Sequence, residues 1–440
     1  MSNRAWIMVV AGAVVVTLSM GVRQSFGLFL TPLGLDLNIS REAFGLAIAV
    51  QNLLFGLVQP FVGAWADRHG AGKVVAGGAA LYLAGLVLAA GAANLVGISL
   101  GLGVMVGLAM AGCTFTVILG AVGKAVPEGQ RTLAFGIVTA GGSLGQFLVV
   151  PAAQGLIEAL DWRGALLVLG GLIALALPLA LGVAGRPQAS AADDGPPLKA
   201  ALGEAMAHPS FWMLNLGFFV CGFHIAFVGT HLPAYLADNG MPLSVSAWSL
   251  AMIGLFNIFG SAAWGALGSR YSKKWLLVMV YGLRAVAIAV FLLVPISAAS
   301  ALVFASSFGF LWLGTVPLTN GLIALIYGVR NLSALGGIVF LSHQVGAFLG
   351  AWLAGVAFTA LGSYAAIWIA SVLLAIVVLI DAAVRPGAYP RSVPAGRERA
   401  GMRRWIALIA GFVLLTILGG WLWLRQGADV WIDAVIAFCT

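Results

Sequence analysis

Uninterrupted apolar stretches of about twenty residues recur from one end of this chain to the other, each long enough for a helix to cross the hydrocarbon core of a bilayer. In lipid a segment must satisfy its own backbone N–H and C=O groups, which leaves helices and closed barrels. Barrel strands would alternate apolar and polar residues over short segments, and these stretches do not. The chain is therefore read as an all-α polytopic membrane protein. Its composition agrees: 62% of the 440 residues are hydrophobic and 8% charged, where a soluble protein carries about a quarter charged. The first apolar run starts within a few residues of Met1 and is too long for a signal-peptide core. Cys113, Cys221 and Cys439 show neither metal spacing nor a disulfide pattern. No nucleophile–base–acid set or metal cluster is present, so neither an enzyme nor a cofactor is expected.

Spans are expected at 5–33, 43–66, 73–92, 95–119, 131–158, 164–184, 211–237, 245–268, 275–297, 300–325, 333–360 and 364–384, with a thirteenth at 403–424. The longest non-apolar gap, 185–210, reads as a cytoplasmic linker between two six-helix halves, 1–184 and 211–384. Residues 385–402 read as a basic linker on the cytoplasmic side and 425–440 as an external tail. With the N-terminus in the cytoplasm, seventeen of the 22 Lys and Arg lie on that side. Only Arg41, Arg163 and Arg425 fall outside, and Arg23 and Arg284 within the membrane. Basic residues accumulate on the cytoplasmic side of membrane proteins, so this orientation is expected, in an inner (plasma) membrane. The same loops explain the net charge of +8 without nucleic acid. The C-terminus lies outside if the thirteenth helix spans.

The chain also resembles itself at an offset of 201 residues. "GAWADRHGAGK" at 63–73 falls on "GALGSRYSKKW" at 265–275, and "GIVTAGGSLGQFL" at 136–148 on "GIVFLSHQVGAFL" at 337–349. Pro32 falls on Pro233.

The first of these loops, with Gly63, Asp67, Arg68, Gly70 and Lys73, resembles the signature loop of the major facilitator superfamily. The second copy keeps Gly265 and Arg270 and has Ser269 in place of the acid. That resemblance implies two six-helix bundles related by a pseudo-two-fold axis, with a binding site near the midplane between them, plus here a thirteenth C-terminal transmembrane helix. It implies that Gly63, Asp67, Arg68, Gly70, Lys73 and Arg270 belong to a gate, in which Asp67 docks at the cytoplasmic end of the eleventh span beside Arg330 in one state only. Within the superfamily the pattern is similar to bacterial relatives of monocarboxylate and oxalate/formate carriers. Monocarboxylate carriers place an acid and an arginine four residues apart in the eighth span. Those positions here are Asn257 and Ser261, so neither lactate-type chemistry nor coupling through that acid carries over.

Charge buried in a membrane is costly and usually functional. None of the fourteen Asp and Glu falls in the middle of a span, whereas Arg23, His224 and His343 do. Arg23 and His224 are counterparts at the offset of 201. The candidate substrate-binding set is Arg23, Gln24, Asn52, His224, His343, Thr319 and Asn320, with His231, Gln59 and Gln344 as further polar positions. A guanidinium matches a carboxylate in two hydrogen bonds. An imidazole can donate a bond or take a proton. The expected function is alternating-access transport of a small organic anion, with a coupling proton or a counter-anion as a further partner. Two alternatives stand beside it, an efflux pump for amphipathic compounds and a non-transporting membrane sensor or assembly partner. Bland readings compete at each residue: Arg23 could snorkel or cap carbonyls, and a membrane histidine often only links two helices. Arg284, in the ninth span, is expected to be structural.

Overall fold

The computed structural model describes residues 2–184, 198–327 and 332–384. Arg330, the first part of the 185–210 linker and everything from 385 onward, including the 403–424 span and the tail, lie outside the described residues.

In chain order the helices are α1 Asn3–Gln24, α2 Leu30–Leu37, α3 Arg41–His69, α4 Ala71–Ala90, α5 Leu95–Ile98, α6 Val106–Cys113, α7 Phe115–Ala125, α8 Glu128–Ala174, α9 Ala176–Val183, α10 Leu198–Ala207, α11 Pro209–Asp238, α12 Leu243–Arg270, α13 Lys273–Leu293, α14 Ala298–Leu311, α15 Thr315–Tyr327, α16 Leu332–Leu361 and α17 Ala365–Val384. Among the described residues, ten helical stretches are long and apolar enough to cross a membrane. One, Ala134–Val183, covers two of the expected spans and is interrupted at Asp161, whose φ of 62° lies outside helical space. The twelfth expected span, 364–384, is present as α17. Within the segment read as a linker, 185–210, lies α10, built from the helix-forming run "LKAALGEAMA", and α11 starts at Pro209.

Local chemistry sets the ends. Ser40 accepts from Ala43 N (3.1 Å) and opens α3, Asn94 accepts from Gly97 N and opens α5, and Ser297 with Ser300 forms a capping box at α14. Gly70, at φ 93°, makes the sharp corner from α3 to α4 that a side chain would strain. Large apolar side chains stay on the outside, Leu293 at 84% and Leu181 at 79% exposure, as expected where lipid is the solvent.

The internal repeat returns in the packing. α1 lies against α8 and α11 against α16. A Cβ on Gly21 would meet Gly145 O at 2.7 Å, and one on Gly145 would strike Thr17 O. Their counterparts at the offset of 201, Gly222 and Gly346, meet His343 O and Phe219 O in the same way. Small residues let the backbones approach this closely, and that drives helix packing where lipid removes any hydrophobic gain.

Two of the long stretches are broken at equivalent places. The stretch from Leu95 breaks at Thr114 (φ −119°, ψ −168°), between α6 and α7. The stretch from Ala298 breaks at 312–314, and α15 resumes at Thr315, the counterpart of Thr114. The second break is pinned from within. Arg284 donates from Nε and Nη2 to Leu311 O (3.2 and 2.5 Å) and from Nη2 to Trp312 O. Trp264 Nε1 donates to Phe310 O (3.1 Å), and Asn257 Oδ1 accepts from Leu313 N (3.0 Å). Arg284 is thus the structural cation its span suggested: a discontinuous membrane helix leaves orphan carbonyls, and a buried guanidinium meets them.

Candidate functional site

Between α1, α3, α7 and α8 on one side and α11, α12, α15 and α16 on the other lies one large cavity of about 2390 Å³. It reaches the face that carries the N-terminus and the α3–α4 corner, through Ser2, Arg4, Gly63 and Gly70. The opposite face is closed. There Gly27, in a 3₁₀ turn after α1, abuts Gly229 O of α11, and Gly355 of α16 lies on Arg41 and Glu42 of α3. Arg41 forks onto the Asp238 carboxylate, with Nη2–Oδ1 at 2.6 Å. Its guanidinium also stacks on Phe358, 3.8 Å from the ring centroid. From Arg41 a chain of donors runs inward. Nη1 donates to Tyr364 Oη (3.2 Å), Tyr364 lies 3.0 Å from His231 Nδ1, and His231 Nε2 donates to Ala351 O (2.8 Å). A carbonyl only accepts, so in the neutral ring Nε2 holds the proton and Nδ1 accepts from Tyr364.

The sequence-predicted residues divide in two. Arg23, Gln24, Asn320 and His343 line the cavity, with Gln59 and Gln344. Arg23 sits in the last turn of α1, just before the chain turns into the 3₁₀ segment Phe26–Phe29. Its Nη2 donates to Asn52 Oδ1, and Asn52 is itself held through Nδ2 to Ile48 O (2.8 Å). The Nε of Arg23 is buried with no hydrogen-bond partner. Among the described residues the ion pairs are Arg41–Asp238 and Arg163–Asp36, and neither touches Arg23. The described cavity wall carries no carboxylate. His343 stacks on Phe340 (5.8 Å, 4° between planes) and touches Gln344 Oε1 through Nδ1 (3.3 Å).

His224 is not on the wall. It is fully buried and bonds Ser371 O of α17 through Nε2 (2.9 Å). Ile225, the counterpart of Gln24, takes the cavity position instead. One residue along a helix turns a side chain by about 100°. From the matching register Arg23 still reaches the wall because its side chain is long, whereas the imidazole ends against α17. Thr319 is also elsewhere, in a pocket of about 30 Å³ with Lys274 and Tyr281. Of the gate residues, Gly63 and Gly70 line the mouth of the cavity, and Arg68, Lys73 and Arg270 are exposed. The Asp67 side chain and Arg330 lie outside what is described.

The wall holds residues the sequence reading did not single out for binding. Thr116, at the start of α7, accepts from Gln59 Nε2. Gln24 Nε2 donates to Gln146 Oε1 (3.3 Å), and Asn257 Nδ2 donates to Ser143 Oγ (2.8 Å), tying α12 of one half to α8 of the other. Ser143 lines the cavity and Gln146, 3% exposed, stands behind it; their three-residue spacing in an apolar span was the available signal, since it places two polar groups on one helix face. Chemically the site offers a cation without an anionic partner, a ring of amides and hydroxyls, and an aromatic wall of Phe55, Phe115, Phe218 and Phe340.

The sequence pattern of the Major Facilitator Superfamily matches residues 12–328. Monocarboxylate transporter 13 of Rattus norvegicus is 29% identical over 372 residues, covering 82% of this chain and 84% of that one. Monocarboxylate transporter 11 of Mus musculus is 29% identical over 375 residues, 80% of each. An MFS-type transporter of Bacillus subtilis (strain 168), YcxA, is 26% identical and covers 76% of this chain and 84% of its own. Among solved structures, a bacterial homologue of the human lysosomal transporter Spinster, in an inward-facing and unoccupied conformation, superimposes with a TM-score of 0.74 at 18% identity. It covers 90% of this chain and all of that one.

Proposed function

The chain belongs to the Major Facilitator Superfamily, and from that premise we propose that it is a secondary transporter of a small organic anion, in the first instance a carboxylate, working by alternating access. It is a multi-pass membrane protein whose relatives are transporters and not enzymes. On this reading twelve spans form two six-helix halves with the N-terminus in the cytoplasm. The cavity then opens inward, and the Arg41–Asp238 face is the closed outer gate.

One observation carries the proposal: the Arg23 guanidinium lines the cavity with a neutral partner, Asn52, and a buried Nε left over. A buried cation without compensation is costly, and an anionic cargo would supply the missing charge. The names of the relatives at 29% identity point the same way. His343 stands across the same cavity as a second donor, and Gln24 and Asn320 complete the polar wall. Asn52 positions Arg23, while His224 and Thr319 have no part in this site. Charge balance on transport rests with His343, a proton carried by the cargo, or a counter-anion. Asp67, with Arg68, Lys73, Arg270 and Arg330, is proposed for the inner gate.

The size of the cavity and its aromatic wall favour a second reading, export of amphipathic compounds, with Arg23 then taking the head of an amphipathic acid. A thermal-shift screen of the purified protein against a panel of organic acids, repeated with Arg23→Gln, tests the proposal. A ligand stabilises by an amount set by its concentration over its dissociation constant. Stabilisation by carboxylates that disappears in the variant is the expected result. Stabilisation that persists in Arg23→Gln, or none from any acid in the wild type, overturns it.

A further inference from the structure

The two helix breaks are equivalent in position and unlike in content. The three residues that pin the α14–α15 break are Arg284, Trp264 and Asn257. At the offset of 201 their counterparts are Leu83, Gly63 and Gly56, none of which has a polar side chain. At the α6–α7 break, Ser19 Oγ donates to Cys113 O (2.8 Å), and Thr114 turns its hydroxyl back onto Met110 O (2.8 Å) and does not cap α7. Two carbonyls on this side of the break, Met110 O and Cys113 O, are thus bonded. The first backbone bond of α7 is Ile118 N to Thr114 O. The N–H groups of Phe115, Thr116 and Val117 therefore start an eleven-residue helix without a cap, and all three residues line the cavity. The end of a helix that carries free N–H groups attracts electron-rich atoms.

A second observation points to a ligand at this place. Gln59 is 8% exposed and lines the cavity. Its Nε2 is spent on Thr116 Oγ1, and its Oε1 is buried with no partner. Its counterpart in the other half is Gly260, which is filled by Phe310 O. At the α6–α7 break an uncapped set of donors and an unspent acceptor thus stand together.

We infer that the α6–α7 break is a second subsite of the cavity, formed by the first turn of α7 and Gln59, which takes an oxygen of the cargo distal to the carboxylate held by Arg23. This rests on the carboxylate reading above. A hydroxyl fits the arrangement directly, donating to Gln59 Oε1 and accepting from the α7 amides. A second carboxylate fits once the Gln59 amide turns over, so that Thr116 donates to Oε1 and the NH2 group faces the ligand. The spacing suits a short chain. Ser19, one helical turn before Arg23, already reaches the break. The guanidinium therefore starts about 6 Å beyond it and leans back towards it, as helical side chains do. Asn52, Gly56 and Gln59 form one stripe of α3, so the groups that hold Arg23 and Thr116 are about 10 Å apart along that helix. Four carbons with bonds of about 1.5 Å place two terminal oxygen functions on the order of 5 Å apart, which leaves room for a hydrogen bond at each end.

The test compares butyrate, 4-hydroxybutyrate and succinate on the purified full chain in lipid nanodiscs, with dissociation constants from thermal shift. One or both of the acids with a distal oxygen should bind about tenfold more tightly than butyrate, the equivalent of one hydrogen bond to a charged group or helix end. Preference for 4-hydroxybutyrate alone assigns the hydroxyl arrangement, and preference for succinate alone the turned amide. Gln59→Leu should remove the advantage and leave butyrate within twofold, whereas Arg23→Gln should weaken all three. Equal binding of the three by the wild type overturns the subsite while the carboxylate reading stands. Equal loss of all three in Gln59→Leu, in protein that melts like the wild type without ligand, also overturns it. If none of the three binds the wild type, both readings fall. The wild-type comparison decides the matter even where a variant does not fold.

Discussion

Asp238→Asn tests how the far face is held shut. Arg41 joins Asp238 through both of its terminal nitrogens, with side-chain exposures of 21% and 33%. Two unit charges about 4 Å apart at an effective dielectric of 20 attract by about 4 kcal/mol, and partial exposure takes away most of that. Exposed pairs are worth at most about 1 kcal/mol, and a bidentate fork is stronger. About 1.5 kcal/mol is therefore expected, and the contacts of Arg41 with Phe358 and Tyr364 remain in the variant. The pair joins α3 to α11, so a state open on this face cannot keep it. Its loss should raise the population open on the far face about tenfold. The assay uses Met20→Cys, a position on the cavity wall, in oriented proteoliposomes, labelled from the far side by an impermeant maleimide. The labelling rate should rise about tenfold in Asp238→Asn, and the swapped pair Arg41→Asp with Asp238→Arg should recover part of the difference. A rate within twofold of the parent in correctly folded protein would refute the lock.

Three further outcomes are expected. Asp67→Asn should lower transport several-fold in proteoliposomes with an unchanged yield of folded protein; unaltered uptake removes Asp67 from the inner gate. Gly346→Val drives a side chain into Phe219 O and should cost about 3 kcal/mol or more, read as a lower melting temperature and poorer yield, because backbone cannot yield as a side-chain end can. Arg284→Leu strips the carbonyls of Leu311 and Trp312 of their donor and should destabilise by about 2–4 kcal/mol, while carboxylate affinity of the surviving folded fraction stays within twofold; a selective loss of affinity would place Arg284 in the binding site.

The bilayer made most of the fold legible. Its thickness dictates span length and its solvent quality dictates composition, so apolar run lengths located the ten long apolar helical stretches among the described residues. The repeat was legible because Gly21 and Gly145 recur as Gly222 and Gly346 under the same packing constraint. Arg23 was legible because a charge in lipid needs a reason. His224 was misplaced because sequence offset conveys register along a helix but not reach. The neighbouring Ile225 faces the cavity, and only a side chain as long as arginine's bridges that difference. The helix breaks were hidden for another reason. Pro317, close after the second break, was a visible cue, since it lacks an N–H and suits the first turn of a helix. Thr114 has no such cue nearby, and its break shows only in the backbone angles. In the 185–210 gap, Pro, Gly and Asp near its start masked ten helix-forming residues.

The shape of the cavity also determines where the membrane voltage acts. A wide aqueous vestibule conducts ions, so little of the electrical potential drops along it. The field concentrates instead across the thin closed septum of Gly27, Gly229, Arg41 and Asp238. On the proposed function, an anion that enters from the open side would reach Arg23 having crossed almost none of that field. Each elementary charge is worth about 2.3 kcal/mol per 100 mV, and this energy is then felt almost entirely in the step that reopens the septum. Holding potential should accordingly set the turnover rate and leave affinity from the open side nearly untouched.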